Sequence, residues 1–134
     1  MSKLTIALDI MGGDHGPPVI LPAAVKAIQL HPDVHFTLCG DEDTIIAGIQ
    51  PLTDSERKRV TIVHCSQVVE MGEAPTSALR NKKDSSMRRV IELVESGEAD
   101  ACVSAGNTGA LLTLSFYLLK TLSGIDRPAL INMM

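Results

Sequence analysis

The sequence predicts an open α/β fold in which a mainly parallel sheet is covered by helices on both faces. Three observations carry this reading. Short aliphatic runs alternate with helix-length segments, and turns dense in glycine follow the runs. The apolar content is aliphatic: with two Phe, one Tyr and no Trp in 134 residues, the interior has to be built from Val, Ile, Leu, Ala and Met. That composition suits strands buried on both faces. The length is that of about one domain of 100–150 residues, so one core is expected.

The elements follow in order. Leu4 to Ile10 is an apolar run that ends in Met11-Gly12-Gly13-Asp14-His15-Gly16-Pro17-Pro18, a strand entering a turn. Val19 to Leu30 is apolar nearly all round, starts beside Pro17 and Pro18 and closes before Pro32, which predicts a buried helix. Val34 to Cys39 is a second strand. Asp41-Glu42-Asp43-Thr44 then supplies capping oxygens and the acids that favour a helix start. Thr53 to Arg59 reads as a polar connector and Val60 to Cys65 as a third strand. Periodicity fades from Gln67 to Lys83, so this stretch is expected to be a long loop with a short helical turn, a kind of segment that is often functional. Asp84 or Ser85 caps a clearer helix with Met87, Val90, Ile91 and Val94 at helical spacing and Gly97 at its stop. Ala101 to Ser104 is a fourth strand, Ala105 to Gly109 a turn, and Ala110 to Leu122 an apolar helix ended by Ser123-Gly124. That helix is expected in the core, with a subunit interface as the alternative. Pro128 to Met133 begins a fifth strand. Because the chain stops there, it is expected to be the leading part, residues 1–134, of a longer protein.

Charge and composition exclude several classes. A net charge of −4 and three scattered aromatics oppose a nucleic-acid groove, which needs basic surface and stacking platforms. The basic residues are unevenly spread: of 12 Lys and Arg, five fall at Arg80, Lys82, Lys83, Arg88 and Arg89, whereas the first fifty residues hold only Lys3 and Lys26 against six acids. A local anionic partner is therefore allowed mid-chain. Cys39, Cys65 and Cys102 lack metal or disulfide spacing, which favours a reduced, cytoplasmic protein with no metal and no cofactor. His31, His35 and His64 read as surface groups. The apolar run from Ala110 to Leu119 is well short of the ~20 residues that span a bilayer.

Two turns draw the chemistry. In open α/β sheets, ligands gather beyond the carboxyl ends of strands, where backbone amides and helix N-termini face outward. The first turn is Asp9 to Pro17, in which Gly12 and Gly13 let backbone approach a ligand and the acids, Asp9 and Asp14, can position it by hydrogen bonds; an ordinary strand-to-helix turn is the plainer alternative. It lacks the G-x-G-x-x-G dinucleotide pattern. The second is Ser104-Ala105-Gly106-Asn107-Thr108-Gly109-Ala110, whose donors suit a phosphate oxygen, although Asn107 or Thr108 as simple helix caps would also account for it. Arg88 and Arg89 stand at a helix start, where the dipole disfavours cations by about 0.3–1 kcal/mol each, and a nearby anion would offset that.

Taken together these residues resemble the bacterial phosphate acyltransferases of phospholipid synthesis, the acyl-acyl-carrier-protein:phosphate transacylases. The resemblance lies in Leu8-Asp9-Ile10-Met11-Gly12-Gly13-Asp14-His15-Gly16-Pro17 and in Ala101-Cys102-Val103-Ser104-Ala105-Gly106-Asn107-Thr108-Gly109-Ala110. Ser85-Ser86-Met87-Arg88 and Gly124-Ile125-Asp126-Arg127-Pro128-Ala129-Leu130 add to it. It covers the whole chain, while family members are longer and this chain corresponds to roughly their first two-fifths. The resemblance implies a sheet like those of phosphotransacetylases and isocitrate-type dehydrogenases, truncated after its fifth strand. It further implies a cytoplasmic homodimer, loosely associated with a membrane acyltransferase, in which inorganic phosphate attacks a fatty acyl-carrier-protein thioester. On that reading Gly12, Gly13, Ser104, Gly106, Asn107, Thr108 and Gly109 form a phosphate cradle, with Asp14 and Asn107 closest to the chemistry. Arg80, Lys82 or Arg88 neutralises charge or docks the acidic carrier protein. A different enzyme on the same sheet and a non-catalytic phosphate-binding fragment stay open at this point.

Overall fold

The computed structural model describes residues 4–119. The expected helix stop at Ser123-Gly124, the family-like segment 124–130 and the expected strand from Pro128 to Met133 lie outside the described residues.

The described elements alternate as expected: β1 (Leu4–Asp9), α1 (Pro17–Leu30), β2 (Val34–Gly40), α2 (Glu42–Gly48), α3 (Asp54–Arg57), β3 (Val60–His64), α4 (Pro75–Asn81), α5 (Ser86–Glu95), β4 (Ala101–Val103) and α6 (Thr108–Leu119). All strand pairs are parallel, in the order β3-β2-β1-β4. The chain steps outward from β1 to β3 and then returns to the other side of β1. That reversal makes the β1/β4 boundary the switch point, where open sheets of this kind leave a crevice for ligands.

Strand alternation divides the interior in two. Ile6, Leu8, Ile10, Phe36 and Leu38 face α1 and α2, while Ala7, Cys39 and Cys65 face α4, α5 and α6. Covered on both faces, the strands can be apolar throughout, as the aliphatic composition foretold.

Some expectations change. The helix from Pro17 is not buried all round: Leu21, Ala24, Val25 and Ile28 face the core, but Val19 is 53% and Leu30 63% exposed. The described part of α6 buries only Ala110 and Leu114 and leaves Phe116 and Tyr117 in solvent. Uniform apolarity hid a one-sided packing that no periodicity could reveal. The polar connector contains a short helix, α3, opened by a capping box between Thr53 and Glu56. Among the described residues, no helix is long and apolar enough to cross a membrane.

Candidate functional site

The two glycine turns meet at the switch point. The first leaves β1, carries Gly13 at φ 101° and Gly16 at φ 61°, and enters α1 at Pro17. Only glycine adopts such angles without steric strain, so this turn shape is a direct consequence of its composition. The second turn leaves β4 and enters α6. They are in direct contact: a Cβ on Gly12 would stand 3.1 Å from the amide nitrogen of Gly106, and one on Gly13 would stand 3.3 Å from the carbonyl oxygen of Ala105.

A buried carboxylate lies behind both. Asp9, the last residue of β1, is 3% exposed, and its Oδ1 accepts from the amides of Met11 and Gly12 at 3.1 Å each. Its Oδ2 accepts from the Ser104 hydroxyl at 2.7 Å, and that hydroxyl oxygen accepts from the amide of Gly106 at 3.1 Å. Ser104, expected among the phosphate ligands, thus has its proton on Asp9.

Asn107 works in two directions. Its Oδ1 accepts from the amide of Ala110 at 3.1 Å, which caps α6, and its Nδ2 donates to the carbonyls of Glu73 at 2.7 Å and Glu70 at 3.2 Å. The capping alternative therefore describes this side chain, and the tie to the loop at 70–73 adds a role no local pattern announced. Thr108 is exposed, and Gly109 lies where a Cβ would come within 3.3 Å of Pro75 in α4. Their amides are the first two of α6, positions that have no intrahelical acceptor, and they carry the positive end of the helix dipole. Asp14 and His15 are exposed in the first turn. An apolar trough of about 190 Å³ runs beside the turns; Leu8, Ile20, Ala23 and Val103 line it, and Asp9 and Ala105 border it.

Two of the three expected charge-neutralising residues, Lys82 and Arg88, make contacts within the chain. The Lys82 ammonium donates to the Val68 carbonyl at 2.8 Å and pairs with Glu73 at 3.4 Å, pinning the same loop that Asn107 holds. Arg88 donates to the Leu79 carbonyl at 3.3 Å and pairs with Glu92 at 3.4 Å. Glu92 also stands 3.8 Å from Arg89, so one carboxylate of the same helix is shared by the two cations at the head of α5 and offsets part of their charge. Arg80 is exposed in the last turn of α4.

The loop is fixed at its base as well. Asp84 accepts from the Ser66 hydroxyl at 2.6 Å and from the Ser66 amide at 2.9 Å, which hold its carboxyl below the usual range. The Ser77 hydroxyl does the same for Glu73. Both carboxylates stay ionised to lower pH when folded than when unfolded. Their contribution to stability is complete above the ordinary carboxylate range near pH 4 and is lost as pH falls below it. Melting temperature should therefore drop on acidification from about pH 5. Asp84→Asn should flatten that dependence, and an unchanged slope in the variant would contradict the assignment. On β2 and just beyond β3, the buried thiols of Cys39 and Cys65 share a hydrogen bond that pushes Cys39 up, together with burial, and brings Cys65 down.

With this geometry in view, comparison with known proteins is direct. A family profile described as "Fatty acid synthesis protein" matches residues 4–134. The chain belongs to the fatty acid synthesis protein family. Relatives in it include the phosphate acyltransferase of Halorhodospira halophila, 54% identical over 131 residues that make up 98% of this chain and 38% of that protein. The phosphate acyltransferase of Legionella pneumophila strain Paris is 53% identical over 132 residues, 98% of this chain and 39% of its own. That of Methylococcus capsulatus is 55% identical over 130 residues, 95% of this chain and 38% of its own. The chain thus spans about two-fifths of the length of these relatives, and the resemblance read from the two turn motifs is borne out.

Within this family member, the fold brings Gly12, Gly13, Ser104, Gly106, Asn107, Thr108 and Gly109 to one sheet edge. It does not bring Lys82 or Arg88 there as free cations. Sequence reasoning counted Asp9 among the acids that could position a ligand and missed its buried link to Ser104. The available signal was an acid at the end of an otherwise apolar strand, a position that burial makes costly unless hydrogen bonds satisfy it.

Proposed function

We propose that this chain supplies the phosphate-binding part of an acyltransferase that makes acyl phosphate from inorganic phosphate and a fatty acyl thioester on acyl carrier protein, for phospholipid synthesis. The observation that carries the proposal is the pair of glycine turns in contact at the β1/β4 switch point, beside the free amides at the head of α6. The phosphate acyltransferase names of the relatives support it.

In the proposed step a phosphate oxygen attacks the thioester carbonyl. A C–O bond forms, the C–S bond breaks, and the departing thiolate takes up a proton to become the carrier thiol. Phosphate is substantially dianionic near neutral pH, and a thiol of pKa about 8.5 is a competent leaving group, so positioning and charge stabilisation are the main demands on the protein. The amides of Thr108 and Gly109 and the Thr108 hydroxyl receive the phosphate, Gly12 and Gly13 provide close approach, and Asp14 accepts from a protonated phosphate oxygen. Asn107 holds the loop at 70–73 against this site. The apolar trough flanking the turns is the surface assigned to the acyl chain on this reading.

Arg80, with its exposed neighbour Lys83, is the docking surface for the acidic carrier. Arg80→Glu should raise the KM for acyl carrier protein a few-fold, weaken its salt dependence and leave the KM for phosphate unchanged. An equal rise in both constants would remove this assignment. Homodimer formation belongs to the same reading, with exposed Phe116, Tyr117 and Leu119 as its apolar face. So do a cytoplasmic location and loose contact with a membrane acyltransferase that consumes the acyl phosphate.

The decisive assay supplies fatty acyl carrier protein and phosphate to this chain and to a full-length relative, and traps acyl phosphate with hydroxylamine as the hydroxamate. Product from the relative is expected, and its absence would end the transacylase reading. A silent chain beside an active relative would assign the chain the binding role alone.

A further inference from the structure

Asp9 is almost fully buried, and among the described residues no lysine or arginine pairs with it. Burying a carboxylate behind an anion site opposes anion binding by charge alone, so its place there calls for a different account. The hydrogen bonds supply one. From the Gly12 amide through Asp9 Oδ1 and Oδ2 to the Ser104 hydroxyl, and from that oxygen to the Gly106 amide, an unbroken chain crosses 95 residues of sequence separation between Asp9 and Ser104. Its central link, a hydroxyl donating to a carboxylate at 2.7 Å, is of the charge-assisted kind.

Resting on the phosphate-site reading above, we infer that Asp9 and Ser104 are positioning residues that lock the two turns into one rigid unit, and that neither is a ligand. The lock uses the amides of Met11, Gly12 and Gly106, leaving phosphate to the head of α6. Gly12 is required for the same reason: a Cβ there would fall 2.6 Å from Asp9 Oδ2, inside the lock itself.

Amide hydrogen exchange on the chain, with a parallel titration by inorganic phosphate, tests this. Asp9→Asn should speed exchange at Gly106, on the opposite turn, by at least tenfold. Ser104→Ala should do the same at Gly12, and Ser104→Thr, which keeps the hydroxyl, should restore protection. The apparent Kd for phosphate should rise at least tenfold in Asp9→Asn, although that variant removes a negative charge.

A response confined to the turn bearing the substitution would overturn the lock. Tighter or unchanged phosphate binding in Asp9→Asn would overturn its positioning role. Should Asp9→Asn fail to fold, the Ser104→Ala and Ser104→Thr pair decides the matter by the same exchange and titration readouts. Cross-turn exchange effects in the variants, beside a wild-type chain that gives no response to phosphate, would uphold the lock and remove the phosphate reading.

Discussion

Gly12→Ala is expected to destabilise the chain by about 1–3 kcal/mol, the usual range for forcing a methyl into a packed site. It should also reduce acyl phosphate formation in the active enzyme on the order of a hundredfold, because a shift of about 1 Å at a reacting centre has that effect. The new Cβ would sit 2.6 Å from Asp9 Oδ2 and 3.1 Å from the Gly106 nitrogen. Neither neighbour yields cheaply: the carboxylate is held by three hydrogen bonds and the nitrogen belongs to the facing turn. Gly106→Ala should be milder, since its nearest obstacle at 2.7 Å is the terminal methyl of Met87, the far end of a flexible side chain. Urea denaturation and steady-state assays on the two variants give the order. A Gly106→Ala variant worse than Gly12→Ala would mean that turn contact is not what the glycines protect.

Asn107→Ala should destabilise by about 2–3 kcal/mol, combining a lost helix cap of roughly 1 kcal/mol with two lost carbonyl bonds of about 1 kcal/mol each. The exposed His31 should tolerate the same change within about 0.5 kcal/mol. Asn107→Asp separates the two roles. It keeps the oxygen that caps α6 but sets a carboxylate against the carbonyls of Glu70 and Glu73. Protection of Ala110 should survive in this variant, while cleavage at exposed Met71-Gly72 by a nonspecific protease accelerates. Phosphate use should weaken in both Asn107 variants and stay normal in His31→Ala; equal losses at the two positions would refute a role for Asn107 at the site.

These outcomes depend unevenly on what the sequence discloses. Both turns were legible because glycine, proline and capping residues act over a few positions, and the same is true of Ser85, which caps α5 by accepting from the Arg88 amide. The basic stretch was legible as charge, whereas its contacts were not. Lys82 found the Val68 carbonyl and Glu73, and Arg88 the Leu79 carbonyl, on segments that only folding brings near, while the second partner of Arg88, Glu92, lies one turn along its own helix. A long cationic side chain reaches several possible partners, and its sequence neighbourhood does not choose among them.

The sequence by itself determined the α/β class, the order of nearly every described element, the two glycine turns and the family, since each rests on short-range backbone preferences or on matched motifs. The tertiary structure alone decided that β4 returns beside β1, that Asp9 and Ser104 join turns far apart in the chain, and that α1 and α6 bury one face each. Those facts are set by long-range pairing. A helix apolar on all sides carries no mark of which side a sheet will cover, and a carboxylate carries no mark of which distant hydroxyl will reach it.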